Sequence, residues 1–470
     1  MKKKNFFMLA LAAIAFAACS NEDIVPGGKD NNDVVNLDGD AWVALSVQST
    51  KTRALNTPNQ DNGTADESNI TAVKAVFFDG HVNTSVVTKI VTFSDEDINN
   101  LPNRTSAFKV PSTSKAVLII ANPQNLARTI KEGDKYEDVN EIVTLSTEAE
   151  VTTGVAKSGG FVMTNAKGDL EPSESDGTAK NLALYSTAIA ATNSPLTIRI
   201  DRISAKVRVY VKADSGDDDD LSDNATIDKV NTKWYLNVTN KKFFPFKKAN
   251  NEDPNFPMST TLAANYNANF FTAVTNVTAG ENAVKYDIQR IEEDDKRYTE
   301  GIYCLENTIN IDTESSNDFS DAQKVATYLK VAAKFTPKNI DGETNLTEQE
   351  AKNRLSGNGT FYTCKKVPTS MKDMCYSNIS TGIDYLRESG LTVTANEFIT
   401  YEGGWQYYET FVNSPTDFSV ASGIIRNNYY IINVTAFNTL QSDKTIEVNT
   451  TMIPWVLKGR TTIDVETGNN

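Results

Sequence analysis

The chain is poor in the residues that carry most protein chemistry. Its 470 residues include one histidine, His81, so a His-dependent triad or a multi-histidine metal centre has a single residue to draw on. His81 stands in Asp79-Gly80-His81, which reads as a solvated turn after a strand. The short signatures G-x-S-x-G, H-E-x-x-H and G-x-x-x-x-G-K-S/T are absent. Carboxylates are so abundant, 61 in all, that no pair of them marks a glycosidase, and no enzyme activity, metal or cofactor is expected. Positive charge is also short: 46 basic residues leave a net charge of −15. Such a surface repels phosphate backbones and excludes nucleic acid as a partner. Cysteines number four, at 19, 304, 364 and 375. Cys364 and Cys375 are close enough in sequence to pair across a short loop, or to stay as buried thiols beside Cys304. The acidic run Asp217–Asp220, with Asp214 and Asp223, lacks the alternating ligand spacing of an EF-hand and reads as a solvated loop.

Long apolar runs are missing too, and what is present is one short run at the start. Lys2, Lys3 and Lys4 precede an apolar stretch, Phe6 to Phe16, that is too short to span a bilayer. Phe16-Ala17-Ala18 then puts small residues before Cys19. A cysteine just after the cut resembles the lipobox of bacterial lipoproteins, whose sulfur is acylated before cleavage; an ordinary secretory signal is the alternative. The acidic Ser20-Asn21-Glu22-Asp23 resembles a surface-export tag of Bacteroidota lipoproteins. Residues 1–53 carry six basic and six acidic residues, so losing them leaves the net charge unchanged.

Strand signals dominate the rest. After a polar tether from Asn21 to Asp40, Trp42 to Val47 alternates, with Val43, Leu45 and Val47 on one face. The basic Lys51-Thr52-Arg53 follows at once, and then a polar run from Asn56 to Asn69. Val73–Phe78 and Ala116–Ala121 read as buried strands, and Leu196–Val211 as two alternating runs whose phase changes near Arg202. Further strands are expected at Trp234–Val238, Tyr328–Phe335, Phe398–Tyr401, Tyr407–Val412, Tyr429–Val434 and Thr445–Val448. Helices are expected only at Ser94–Leu101, Tyr136–Leu145 and Thr347–Leu355, the last opened by a Thr347/Glu350 capping box. Many short strands with Asn, Asp and Gly turns indicate β-sandwiches rather than a parallel α/β sheet.

Several pieces in a fixed order resemble the fimbrillins of Bacteroidota, the FimA-type and short-fimbria Mfa-type subunits. They are Cys19 in its lipobox, the strand that ends before Arg53, the AVLIIANP strand, IDRISAKVRVYV, Ile302–Thr308 (IYCLENT), Tyr401–Tyr408 (YEGGWQYY), Ile425–Tyr430 (IRNNYY) and Ile453-Pro454-Trp455. The resemblance implies an all-β fold of two tandem transthyretin-like β-sandwich domains with a few short helices. On that basis 1–18 is the lipoprotein signal peptide and 19–53 a propeptide holding the first strand. Residues 54–200 and 201–443 are the two sandwiches, and 444–470 are C-terminal strands. It also implies an outer-membrane lipoprotein precursor, an arginine-specific protease acting between Arg53 and Ala54, and assembly by strand exchange into a surface fimbria. The partners are then copies of the chain or related subunits, with a host or bacterial surface ligand.

Physical chemistry supports the same sequence of events. Loss of Val43, Leu45 and Val47 forfeits roughly 5–9 kcal/mol of apolar burial, at about 1.5–3 kcal/mol each. That rivals the whole stability of a typical domain, ~5–15 kcal/mol. A donor is available at the other end: Ile446 and Val448, Met452, Trp455 and Leu457, and Ile463 and Val465. These residues complete either their own sheet or that of a neighbour by β-strand addition, and head-to-tail donation does not close, so it builds a filament. A glycan-binding surface lipoprotein is the competing reading, with Trp405, Tyr407 and Tyr408 as the aromatic platform.

Overall fold

The computed structural model describes residues 39–49, 63–101, 103–126, 128–172, 180–212, 224–249, 251–255, 266–271, 286–287, 289–291, 301–308, 325–355, 357–412, 423–437 and 446–454. The fold is all-β with short helices, as the sequence pattern predicts; among the described residues the longest helix is Ile379–Glu388. Among the described residues, no helix is long and apolar enough to cross a membrane.

The first strand departs from the expectation of one continuous run. It is two strands, β1 (Asp40–Val43) and β2 (Leu45–Ser49), because the chain changes hydrogen-bonding partner at Ala44. β1 runs antiparallel to Phe108–Pro111, and β2 runs parallel to Leu196–Arg202. β2 forms one edge of a six-stranded sheet. The order continues through Leu196–Arg202, Met163–Asn165, Ala116–Ala121, Val73–Phe78 and Val87–Thr92. Val73–Phe78 and Ala116–Ala121 take the predicted bounds and pair antiparallel in full, Val73 opposite Ala121. Both are covered on two faces, which explains why their apolar runs hardly alternate.

The phase change near Arg202 is a change of sheet. Leu196–Arg202 ends the first sheet, Ile203 bends, and Ser204–Lys212 enters a five-stranded sheet with Asn428–Phe437, Ile446–Pro454, Gln289–Ile291 and Ile302–Leu305. Ile198, Ile200 and Ile203 lie in one core; Ala205, Val207 and Val209 lie in another. The second core is closed on its far side by a four-stranded sheet, Tyr286–Asp287, Ala225–Asn237, Tyr328–Pro337 and Trp405–Phe411. Asn428–Phe437 serves both cores: Tyr429 and Ile431 face the first, Tyr430 and Ile432 the second, as a two-residue period requires.

Three helical expectations meet different outcomes. Ser94 caps Asp95–Asn99, and the Thr347/Glu350 capping box opens Glu348–Arg354. The expected helix over Tyr136–Leu145 stops at Val139, and Val143–Thr144 instead pairs with Lys242–Phe243 from beyond the bend at Ile203. That long-range ladder within the chain satisfies backbone groups a helix would have used locally. An unforeseen feature is the excursion between Tyr328–Pro337 and Trp405–Phe411, which are direct antiparallel neighbours. It carries its own small core of Cys364, Tyr376, Leu386, Val393 and Phe398 around Ile379–Glu388. Gly382 is fixed there by packing, since a Cβ would fall 2.5 Å from the Phe398 ring.

Side chains extend the first sheet where its ladder runs out. Asn165 accepts from the Ile119 N–H at 2.7 Å and donates to the Val117 carbonyl at 3.1 Å and to Glu171 Oε2 at 2.6 Å. The Glu171 carbonyl in turn accepts from the Val117 N–H. Burial pushes the Glu171 carboxyl up to about 8 against the pull of Lys167 and the Asn165 amide. The folded chain therefore holds a proton that the unfolded chain releases near the ordinary value of 4.5. This contribution to stability is complete below that value and is lost as pH rises through the folded-state value. Denaturation midpoints should fall between pH 5 and pH 8.5 and fall less steeply in Glu171→Gln. Identical slopes in the two proteins would contradict this assignment.

Candidate functional site

The residues with the most unusual setting are those of β1 and β2, which lie in a slot walled on both sides from Gly39 to Leu45 and on one side from Ser46 to Ser49. One wall is Thr105 to Ser112. Along it Asp40 opposes Pro111 and Val43 opposes Phe108, the Ser112 N–H donates to the Gly39 carbonyl at 2.8 Å, and Leu45 exchanges two bonds with Thr105. The other wall is Tyr185 to Ile200. There Trp42 exchanges two backbone bonds with Tyr185 at 2.7 and 2.9 Å, and the Leu196 N–H donates to the Ala44 carbonyl at 2.9 Å. From Leu45 to Ser49 the chain then follows Leu196 to Ile200 in parallel register. A strand held this way is more than an edge; removing it strands donors and acceptors on two elements at once.

Its side chains are as enclosed as its backbone. Val43, Leu45 and Val47 all enter the first core, as their spacing predicts. The alternate positions Ala44 and Ser46 are also buried, at 1% and 2% exposure, whereas Asp40 is exposed and Trp42 and Gln48 are half-buried. Lys109 Nζ lies 5.4 Å from the centre of the Trp42 ring.

Just after the segment that holds Arg53, a short helix, α1 (Ala65–Ser68), fastens the chain to the bend at Ile203. Glu67 of α1 is buried and makes a 2.9 Å ion pair with Lys206, itself fully buried. It also accepts from the Tyr303 hydroxyl at 2.6 Å. Arg202 donates to the Glu67 carbonyl and the Ser68 hydroxyl, and its backbone N–H donates to Asn427 Oδ1. Lys206 Nζ also lies 4.6 Å from the centre of the Tyr429 ring. Burial alone would raise the Glu67 carboxyl; Lys206 and the Tyr303 hydroxyl outweigh it and hold it below its ordinary value. A second buried pair, Arg426 with Glu306 at 2.8 Å, lies in the same junction. Neither pair was foreseen. The available signal was the basic residues Arg202, Lys206 and Arg208 inside otherwise apolar strands.

The remaining candidates are dispersed. Ile446–Pro454 is an edge strand of its own sheet, antiparallel to Asn428–Phe437 from Asn428 opposite Pro454 to Phe437 opposite Ile446. It therefore contains the backbone of Ile446, Val448 and Met452. Cys19, Arg53, Ala54, Trp455, Leu457, Ile463 and Val465 lie outside the described residues, as does the acidic run from Asp214 to Asp223. Trp405, Tyr407 and Tyr408 do not form one platform. Tyr408 is fully buried in the second core, while Trp405 and Tyr407 lie half-buried on the opposite face, across from Lys334 and Ala332. Cys304, Cys364 and Cys375 are free and buried, and burial pushes the Cys304 thiol up to about 12. His81 is half-buried in the loop after Val73–Phe78, and no group of metal-ligating side chains occurs among the described residues.

Comparison with known proteins adds one family match. Residues 41–202 match the family described as major fimbrial subunit protein (FimA). The resemblance read from the sequence is borne out over that span, which opens inside β1 and closes on the last residue of the Leu196–Arg202 strand. The family is one of fimbrial structural subunits and not of enzymes. No curated protein matches. Among solved structures, a fimbrilin (FimA) from Porphyromonas gingivalis W83 is 17% identical with a TM-score of 0.42, over 89% of this chain and 99% of that one. A putative cell adhesion protein from Parabacteroides distasonis is 12% identical at 0.41, over 88% and 97%. The tip fimbrial protein Mfa3 from Porphyromonas gingivalis is 12% identical at 0.36, over 88% and 100%.

The junction yields its own prediction. Glu67→Gln leaves the Lys206 ammonium buried without its counter-charge and should cost about 3–5 kcal/mol in chemical denaturation. Replacing both partners, Glu67→Leu with Lys206→Met, should recover most of that loss. A double variant as unstable as Glu67→Gln would show that the pair does not act as a unit.

Proposed function

We propose that this chain is a structural subunit of a cell-surface fimbria, exported as a lipoprotein acylated at Cys19 and cut between Arg53 and Ala54 by an arginine-specific protease. Polymerisation then follows by exchange of strands. The cut releases β1 and β2 with the anchor, and a C-terminal strand of a neighbouring subunit, a copy or a relative, takes their place. The observation that carries this reading is the slot around residues 39–49, together with the family match over residues 41–202.

The physical logic is a sequence of costs and offsets. Withdrawal of β1 and β2 opens the first core at Val43, Leu45 and Val47 and unpairs both walls. The covalent link that held the strand in place is gone after the cut, so a strand from another chain competes on equal terms. α1 lies beyond the cut, and its Glu67 and Ser68 contacts keep the new end of the chain against the junction while the slot changes occupant. At the other end, Ile446–Pro454 completes its own sheet, and giving it away would unpair one edge of Asn428–Phe437. The economical arrangement leaves that strand in place and sends the residues after Pro454, with Trp455, Leu457, Ile463 and Val465, to the neighbour. Donation of Ile446, Val448 and Met452 requires the edge strand to detach first. Adhesion is then a property of the assembled fibre, with the ligand set by its exposed surface.

Two variants separate these steps. Arg53→Ala should leave unprocessed precursor and no SDS-resistant ladder, and normal polymer from it would refute the cleavage step. Deleting residues 455–470 should give a secreted, correctly cut monomer that does not enter fibres. Fibre yield equal to the parent protein would remove the tail as donor.

A further inference from the structure

A cleft of about 440 Å³ opens beside Tyr136–Val139, where loops of the first half meet the Lys242–Phe243 strand. That volume suits a small ligand. The fold ties its walls together. Thr144 stands opposite Lys242 in a two-residue ladder, and the Glu137 N–H donates to the Asn83 carbonyl at 2.9 Å. Asn140, buried in the lining, accepts from the Phe246 N–H at 2.9 Å and donates to the Phe246 carbonyl and the Tyr136 hydroxyl, each at 3.1 Å. Its polar atoms are spent within the chain and hold the cleft in shape.

The charges lining the cleft are unevenly matched. Both carboxylates have cations of their own: Glu137 pairs with Lys135 at 3.4 Å, and Glu141 with Arg128 at 3.3 Å. Neither lysine pairs with a carboxylate among the described residues. Lys242 Nζ donates to Asn269 Oδ1 at 2.8 Å. Lys248 Nζ lies 5.6 Å from the centre of the Tyr136 ring and 5.0 Å from that of Phe244. Rings and an amide steady an ammonium without cancelling its charge. On a chain of net charge −15, two such lysines on one cleft leave a local demand for an anion.

The rest of the lining narrows which anion. The overall negative field, with Glu137 and Glu141 close by, opposes a polyanion. The same carboxylates, with the Asn83 and Thr144 side chains, keep oxygens that accept from hydroxyl groups. Phe244 adds a half-buried ring, and Ile142 is 43% exposed. Ile142 is one of three large apolar side chains left exposed among the described residues, and Val82, next to Asn83 in the chain, is another. A ligand that satisfies all of this carries one negative charge, several hydroxyls and an apolar face.

We propose that the cleft binds a carboxylated sugar, a uronic or sialic acid residue of a surface glycan. Its carboxylate meets Lys248 and Lys242, its hydroxyls donate to Glu137 and Glu141, and the apolar face of its ring lies against Phe244 and Ile142. The site is complete within one chain, so it does not depend on strand exchange.

The test titrates the full chain by calorimetry with glucuronic acid and with N-acetylneuraminic acid, using glucose, acetate and a glutamate tetrapeptide as comparators. At least one acidic sugar should bind about tenfold more tightly than any comparator. Lys248→Gln should weaken that binding about tenfold or more, while Lys248→Arg, which keeps the charge, should stay within about threefold. Ile142→Glu changes an exposed position and adds a negative charge, and should also weaken binding about tenfold. Lys366→Gln, outside the cleft lining, should change nothing. Acetate binding as tightly as the sugars overturns the sugar assignment, and tighter binding of the peptide overturns it in favour of an acidic protein partner. Sugar binding untouched by both Lys248→Gln and Ile142→Glu, or no binding of either acidic sugar, overturns the site. Each of these failures leaves the strand-exchange reading standing.

Discussion

A strand bonded on both sides over much of its length and buried along one whole face cannot leave a protein unless something equivalent replaces it. That constraint governs the first half of this molecule. Residues 39–49 satisfy backbone groups on Thr105–Ser112 and on Tyr185–Ile200, and fill the first core with Val43, Leu45 and Val47. Because buried backbone groups demand partners and apolar burial is large, an empty slot is a high-energy state. On the proposed reading, cutting the chain after this strand would turn that energy into a drive for assembly.

The junction supplies the complementary rigidity. Glu67, Arg202 with Lys206, Tyr303 and Asn427 come from four separate stretches of sequence and meet in a buried polar cluster between the two cores. Desolvating these groups is costly, so the cluster is better suited to fixing one arrangement than to adding stability. Ser204–Lys212 and Asn428–Phe437 extend this fixity, because the second strand packs alternate residues into each core. Strain at the slot can thus be met without loosening the other half of the chain.

Much of this was legible in the residues. Two-sided burial wrote itself into Ala116–Ala121 as an unbroken apolar run and into Val73–Phe78 as one interrupted only by Lys74, and the change of core at Ile203 as a change of alternation phase. The break at Ala44 was not legible, because alternation continues through it while only the hydrogen-bonding partner changes. Ile379–Glu388 was hidden by Gly382 and β-branched residues that lower helix propensity, although Ile379, Ile383 and Leu386 keep helical spacing and Asn378 caps the first turn. The Glu67–Lys206 pair joins residues too far apart in sequence for any local pattern to connect them. The slot's second wall was out of reach for the same reason: Tyr185 meets Trp42 only through the fold.

The central claim is that residues 39–49 occupy a place which another chain fills in the fibre. Electron cryomicroscopy of intact fibres tests it most directly, by tracing the strand that lies between Phe108–Pro111 and Leu196–Arg202 in each subunit. A strand continuous with the C-terminal end of the adjacent subunit is the predicted result. Finding β1 and β2 of the same chain still in that position would contradict it.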